Sequence, residues 1–240
     1  MGSSSKINDS LPGESPFRAS PPCRPAPAGS IVDLRNLLAE RFPKPRTTWA
    51  GRLATGLPAL DEAIGGGLPK GAITELTSPN ISAGSALLIS RLLQAAHRER
   101  YFIALVDGRD SFDPQPLGNE RLRHLLWVRC TKAFDAVKAA DLLLRDGNFP
   151  LVILDLVLNA VDELRKIPQT SWYRLQRLAE PMPMAFLVLT RRSMISSAQL
   201  KLVLDHNWEL QDLQRDECFA RWKFQVHRLH GGRPQMAETG

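Results

Sequence analysis

The chain has 240 residues, 43% of them hydrophobic and 23% charged, with a net charge of +6, enough for one α/β domain with extensions but not for two full domains. The positive balance permits an acidic partner such as DNA without identifying one. The longest apolar run, LVILDLVL, is far shorter than a membrane span and carries an Asp, which argues against a transmembrane segment.

Residues 1–29 contain six of the 18 prolines and many serines with no apolar periodicity, the composition of a disordered tail. MGSSSKINDS has no apolar secretory segment, so a cytoplasmic protein is expected. From Ser30 to Phe42, capping candidates Ser30 and Asp33 precede Ile31, Leu34, Leu37 and Leu38 at helical spacing, and Pro43 and Pro45 end the helix. This leader helix and the basic segment 44–52 form a linker unit over 30–52, ahead of a core over 53–234 and a short tail over 235–240.

Within the core, strand and helix signals alternate, which predicts a mostly parallel sheet with crossover helices. Strands are expected at Ala72–Thr77, Tyr101–Asp107, Leu125–Arg129, Leu151–Leu156 and Ala185–Thr190. Helices are expected at Leu57–Ile64, Ser85–Arg100, Lys132–Arg145 (stopped at Gly147), Ser171–Ala179 and Ser196–Leu204, and ARWKFQVHRL reads as a final strand before the turn GGRP. Gly65-Gly66-Gly67 precedes a strand and lacks dinucleotide-binding spacing, so it reads as a turn.

The stretch Leu53–Leu88 is the most informative. TG-x-x-ALD-x-x-x-GGGLP-x-G followed by a strand ending in Glu-Leu resembles the entry to the RecA superfamily core, where a phosphate-binding loop and a helix follow. A working loop needs two glycines to wrap backbone N–H groups around phosphates, a Lys to neutralise them and a hydroxyl for Mg²⁺. Aligned on Glu75-Leu76 and Pro79, Ser78 and Ala83 replace the glycines, Gly84 replaces the Lys and Ser85 keeps the hydroxyl. A shift of one residue restores Gly84 as a glycine but puts Ser85 at the Lys position and Ala86 at the hydroxyl. Ser82, Gly84 and Ser85 still open a helix whose free N–H groups could face an anion or be capped by the serines, the preferred reading.

Two further landmarks belong to the same resemblance. LVDGRDSFDP (105–114) matches the segment carrying the water-activating glutamate, and Arg109 stands at that position. LVILD (151–155) matches a Walker B strand, with Asp155 at the Mg²⁺-facing carboxylate. The expectation is a pseudo-ATPase with no catalytic residues and no required cofactor, though weak ATP/Mg binding through Ser82, Gly84, Ser85 and Asp155 stays open. No metal site is expected, since the five histidines lack ligand spacing and His227-x-x-His230 has no third partner. Cys23, Cys130 and Cys218 read as isolated thiols.

The leader DLRNLLAERFP, the eroded loop and the basic ending make the chain similar to the ImuA (SulA-related, RecA-like) proteins of bacterial mutagenesis cassettes. That resemblance implies a role in SOS translesion synthesis after DNA damage. It also implies an ImuB-like Y-family polymerase homologue and a DnaE2-like polymerase as partners, with RecA and self-association open. The loops that contact single-stranded DNA in recombinases correspond to about 158–171 and 191–198. Arg191 and Arg192 open the second, and Arg221, Lys223, Arg228 and Arg233 make the C-terminal segment basic; these six are candidate DNA or partner contacts. Alternation puts Trp222, Phe224 and Val226 on one face of the final strand and Arg221, Lys223 and Gln225 on the other. Two other functions stay open: a divergent RecA/KaiC-like ATPase borrowing a cation such as Lys70 or Arg109, and an SOS-linked inhibitor of cell division or of a recombinase.

Overall fold

The structure, a computed structural model, describes residues 51–80, 84–204, 222 and 224–229. The expected tail and leader helix lie outside the described residues. A short antiparallel pair, β1 (Arg52–Leu53) and β2 (Leu68–Pro69), brackets helix α1 (Pro58–Ala63). Gly65, Gly66 and Gly67 form the expected turn with φ of 74°, 103° and 134°. A side chain at Gly67 would run into the Leu53 backbone, so glycine is required there for space as well as for conformation.

Among the described residues the main sheet has seven strands in the order β5-β4-β6-β7-β3-β8-β9. These are β3 (Ala72–Thr77), β4 (Ile103–Asp107), β5 (Leu125–Arg129), β6 (Leu151–Asp155), β7 (Ala185–Thr190), β8 (Leu200–Leu204) and β9 (Phe224–Leu229). All neighbours run parallel except β8 and β9. Helices α2 (Ser85–Glu99), α3 (Gly118–Leu122), α4 (Ala133–Asp146), α5 (Val161–Arg165) and α6 (Gln169–Ala179) fill the connections. The fold is α/β, as the strand–helix alternation predicts.

Period-two alternation on the strands builds two separate apolar layers. Ile103 and Leu105 of β4 face α1 and α2 with Leu60, Leu88 and Leu92. Ala104 and Val106 face α4 and α6 with Ala136, Ala140 and Trp172. Every residue of β3, β4 and β7 is buried; β4 and β7 are apolar up to their last residue, whereas β3 carries Thr74, Glu75 and Thr77 inside the sheet. Each buried leucine contributes about 1.5–3 kcal/mol. The alanines on α4 let that helix sit close to the sheet.

The expected helix at Ser196–Leu204 is not formed; Leu200–Leu204 is strand β8, pairing in parallel with β3. Its burial alternates, with Leu200, Leu202 and Leu204 inside and Lys201 and Val203 between them, so a period of two was present in LKLVL and outweighs the helical reading. The expected loop over 158–171 also contains α5 and the start of α6. The final strand forms, but a register shift opposite Lys201 and Leu202 breaks its alternation. Trp222 is buried while Val226 is exposed, so the expected apolar face does not extend to Val226.

The substitution Gly67→Ala is expected to cost about 1–3 kcal/mol, read as a lower urea midpoint with an unchanged m-value. A Gly67→Ala variant as stable as the original would remove the argument for a forced turn.

Candidate functional site

In open parallel sheets, sites form at the carboxyl ends of the strands where the strand order reverses. Here the order reverses at β3 and at β4, each flanked by two strands that come later in the chain. At the end of β3 the Ser78 N–H donates to the Thr190 carbonyl at 2.7 Å. The Ser78 and Thr190 hydroxyls are buried there with no hydrogen-bond partner. Helix α2 starts at Ser85 behind Gly84, which has φ 97° and provides no side-chain cap. Among the described residues no serine caps the helix: the residue at the cap position is a glycine in the left-handed region. Ser82 lies outside the described residues.

The next two strand ends interlock. The Asp107 carboxylate accepts the backbone N–H groups of Arg109 (3.2 Å), Ser111 (2.8 Å) and Phe112 (2.8 Å), so it is occupied in fastening its own loop. The Gly108 N–H donates to the Asp155 carbonyl at 2.9 Å, and the Asn159 side-chain amide donates to the Gly108 carbonyl at 2.8 Å. A Cβ on Gly108 would sit 2.7 Å from the Asp155 carbonyl oxygen and 2.8 Å from Leu156 Cδ2, so the two loops touch only because residue 108 has no side chain. Sequence reasoning misses Asn159: its amide also donates to Glu163, four residues on, at 3.2 Å, but the bond that ties the two loops spans 51 residues.

The Arg109 guanidinium turns toward the end of β5 and donates to the Thr131 carbonyl at 3.3 Å. Beside it, Asp110 adopts a left-handed conformation with φ 53° and receives both arms of Arg129 at 2.6 and 2.8 Å. That guanidinium holds the Asp110 carboxyl below its usual range and also stacks on the Trp127 ring. Lys70 bridges to Ala185, the first residue of β7, and so occupies the end of the sheet opposite Asp155.

Asp155 accepts the Val157 N–H at 3.0 Å. Burial lifts its carboxyl to about 6, the Val157 amide opposes the shift, and the charge of nearby Asp107 adds to it. This carboxylate is held in a place unfavourable to its charge.

The two loops expected to face a partner do converge. Between α5, the start of α6 and the loop after β7 lies a cavity of about 330 Å³ lined by Asn159, Arg165, Gln169, Arg191, Arg192 and Ser193 over an apolar floor. Gln169 crosses it, donating to the Met194 carbonyl at 3.2 Å and accepting the Ser196 hydroxyl at 3.1 Å. Arg165 is not among the sequence candidates because its segment nearly cancels in charge; it pairs with exposed Asp162 at 3.3 Å. Arg228 lies on β9, where its backbone pairs with Lys201, away from this cavity in strand order. Arg221, Lys223 and Arg233 lie outside the described residues.

A fully buried carboxylate, Glu75 on β3, anchors the arginine loop. It accepts the Ser193 hydroxyl (3.0 Å) and the N–H groups of Met194 (2.7 Å) and Ile195 (3.1 Å), and pairs with the Lys201 ammonium at 2.9 Å. In the sequence Glu75 is only a marker of register, because its hydrogen-bond partners in that loop are 118 or more residues away. Among the described residues, no group of three or more potential metal ligands comes together, and no helix is long and apolar enough to cross a membrane.

No protein-family model matches the chain. Among characterised proteins it is 34% identical over 109 residues to the RecA protein of Chlorobium chlorochromatii, covering 44% of this chain and 30% of that one. It is 35% identical over 109 residues to the RecA protein of Clavibacter michiganensis, with 44% and 30% covered. With the RecA protein of Rubrobacter xylanophilus it shares 32% identity over 109 residues, 44% and 31% covered. The chain thus spans under a third of the length of these relatives. The matches and the fold together relate it to the RecA superfamily.

Asp155 gives this site a pH signature. Its folded value of about 6 lies above the ordinary 3.8, so between those values the folded state holds a proton that the unfolded state has released. Stability therefore falls as pH rises through that window, and the penalty is complete above it. Asp155→Asn, which retains an acceptor for Val157, is expected to be more stable by about 2 kcal/mol at neutral pH, with the gain vanishing near pH ~4. Urea midpoints across that range check it; equal midpoints at neutral pH would remove the claim of a strained carboxylate.

Proposed function

We propose that this RecA-related chain is a non-hydrolysing accessory protein of DNA-damage-induced translesion synthesis, working through protein contacts and meeting DNA at the arginine-lined cavity. The observation that carries the first half is the start of α2. From Ser78 to Ser90 there is no Lys or Arg, and the residue at the lysine position, Gly84, has no side chain to reach a phosphate. A Mg²⁺–triphosphate does not fit this set. Of the cations that could substitute, Lys70 lies at the opposite end of the strands and Arg109 is turned to Thr131. Asp155, the remaining acidic landmark, is raised by burial and a like charge, the reverse of a carboxylate poised beside a cation.

The same arrangement supports a scaffold role. The sheet, both helix layers and the interlocked strand ends persist, and what has changed is the group that would neutralise phosphate charge. On this reading the basic loop ends serve partners: Arg191 and Arg192 toward nucleic-acid phosphates, and the C-terminal basic segment toward an ImuB-like polymerase homologue and a DnaE2-like polymerase, as the ImuA resemblance implies.

Calorimetry with Mg-ATP is expected to give no micromolar binding, and purified protein with single-stranded DNA no turnover above buffer. ATP hydrolysis abolished by Asp155→Ala would overturn the reading in favour of a divergent ATPase. Tagged protein from DNA-damaged cells is expected to retain a Y-family-like subunit; recovery of a cell-division protein alone would support an inhibitor instead.

A further inference from the structure

We infer that Glu75 is a positioning residue for Arg191 and Arg192, setting their affinity for nucleic-acid phosphate through the loop that it anchors; this rests on the reading of the arginine cavity as the DNA-contacting surface. Glu75 lies on β3, an interior strand between β7 and β8, with no solvent exposure, and its two oxygens together receive one hydroxyl, two consecutive backbone amides and one ammonium from residues 193–201. Lys201 closes the arrangement by also donating to the Ser193 hydroxyl at 2.7 Å.

Satisfying a buried carboxylate in this way ties it to the chain segment that supplies the donors. That segment begins directly after Arg191 and Arg192, with Ser193 and Met194 beside them on the cavity wall. Since the backbone at 193–195 is held on β3, the two arginines leave the strand end in a set direction, and binding phosphate need not first order the loop. Gln169 makes a second attachment through the Met194 carbonyl and Ser196, but from the far side of the cavity. The Glu75 cluster attaches the loop to the sheet itself.

The charge of Glu75 gives the test its sign. Glu75→Gln removes a negative charge beside a basic surface, so electrostatics alone make a polyanion bind more tightly. Loss of positioning makes it bind more weakly. Glu75→Asp keeps the charge and shortens the reach, so electrostatics predict no change and positioning again predicts loss.

The experiment is fluorescence polarisation of a labelled oligothymidylate with the full chain, its Glu75→Gln and Glu75→Asp variants and the double variant Arg191→Ala/Arg192→Ala, alongside amide hydrogen exchange. The expected result is binding weakened about fivefold or more in each Glu75 variant, with faster exchange confined to the Met194–Ile195 region, and a larger loss in the double-arginine variant. Unchanged or tighter binding by both Glu75 variants, with the double-arginine variant weakened, overturns the positioning role and leaves the arginine reading standing. A double-arginine variant that binds like the original overturns both. If the Glu75 variants fail to fold, Ser193→Ala decides: weaker binding with faster exchange at Met194 and Ile195 supports the inference, and any other result overturns it.

Discussion

A carboxylate in the middle of a fully covered parallel sheet is the constraint around which the functional end of this molecule is arranged. Glu75 has no solvent exposure, and leaving its charge unsatisfied there would cost several kcal/mol. The fold meets this by returning the chain after β7 across the top of β3 and running β8 alongside it, which delivers Ser193, two amides and Lys201 to one point. The position of β8 and the path of the arginine-bearing loop thus follow from a single buried charge as much as from apolar packing.

A second junction, made without charge compensation, sits at the ends of β4 and β6. Gly108 lets the two loops touch, Asn159 ties them, and Asp107 spends its carboxylate on the amides of its own loop. Asp155 is left beside this junction, half-buried near another acid. Its carboxylate accepts the Val157 N–H and its carbonyl accepts the Gly108 N–H, so residue 155 takes part in both the turn and the junction.

The helix face of the sheet and the loop face therefore answer to different forces. Leu60, Leu88 and Leu92 on one side and Ala136, Ala140 and Trp172 on the other are held by area removed from water, which tolerates exchange among apolar residues of similar volume. The loop face depends on a few directed hydrogen bonds, where a missing partner leaves a buried group unsatisfied.

The α/β class, the seats of β3, β5 and β7 and the lack of any Lys or Arg from Ser78 to Ser90 were legible in the sequence, because they depend on local composition: mostly apolar runs between turn residues, or the identity of thirteen consecutive side chains. The short segment Ser196–Leu204 reads as helix on its own, since so few residues satisfy both periods and only pairing with β3 and β9 decides between them. The roles of Glu75 and Asn159, the convergence of Arg165 with Arg191 and Arg192, and the exclusion of Lys70 from the Asp155 end were decided by tertiary structure alone. Each depends on which strand end or which distant residue a side chain meets, and crossover connections set those meetings across 26 residues for Arg165 and Arg191 and 51 to 120 for Asn159 and Glu75, beyond the reach of any local pattern.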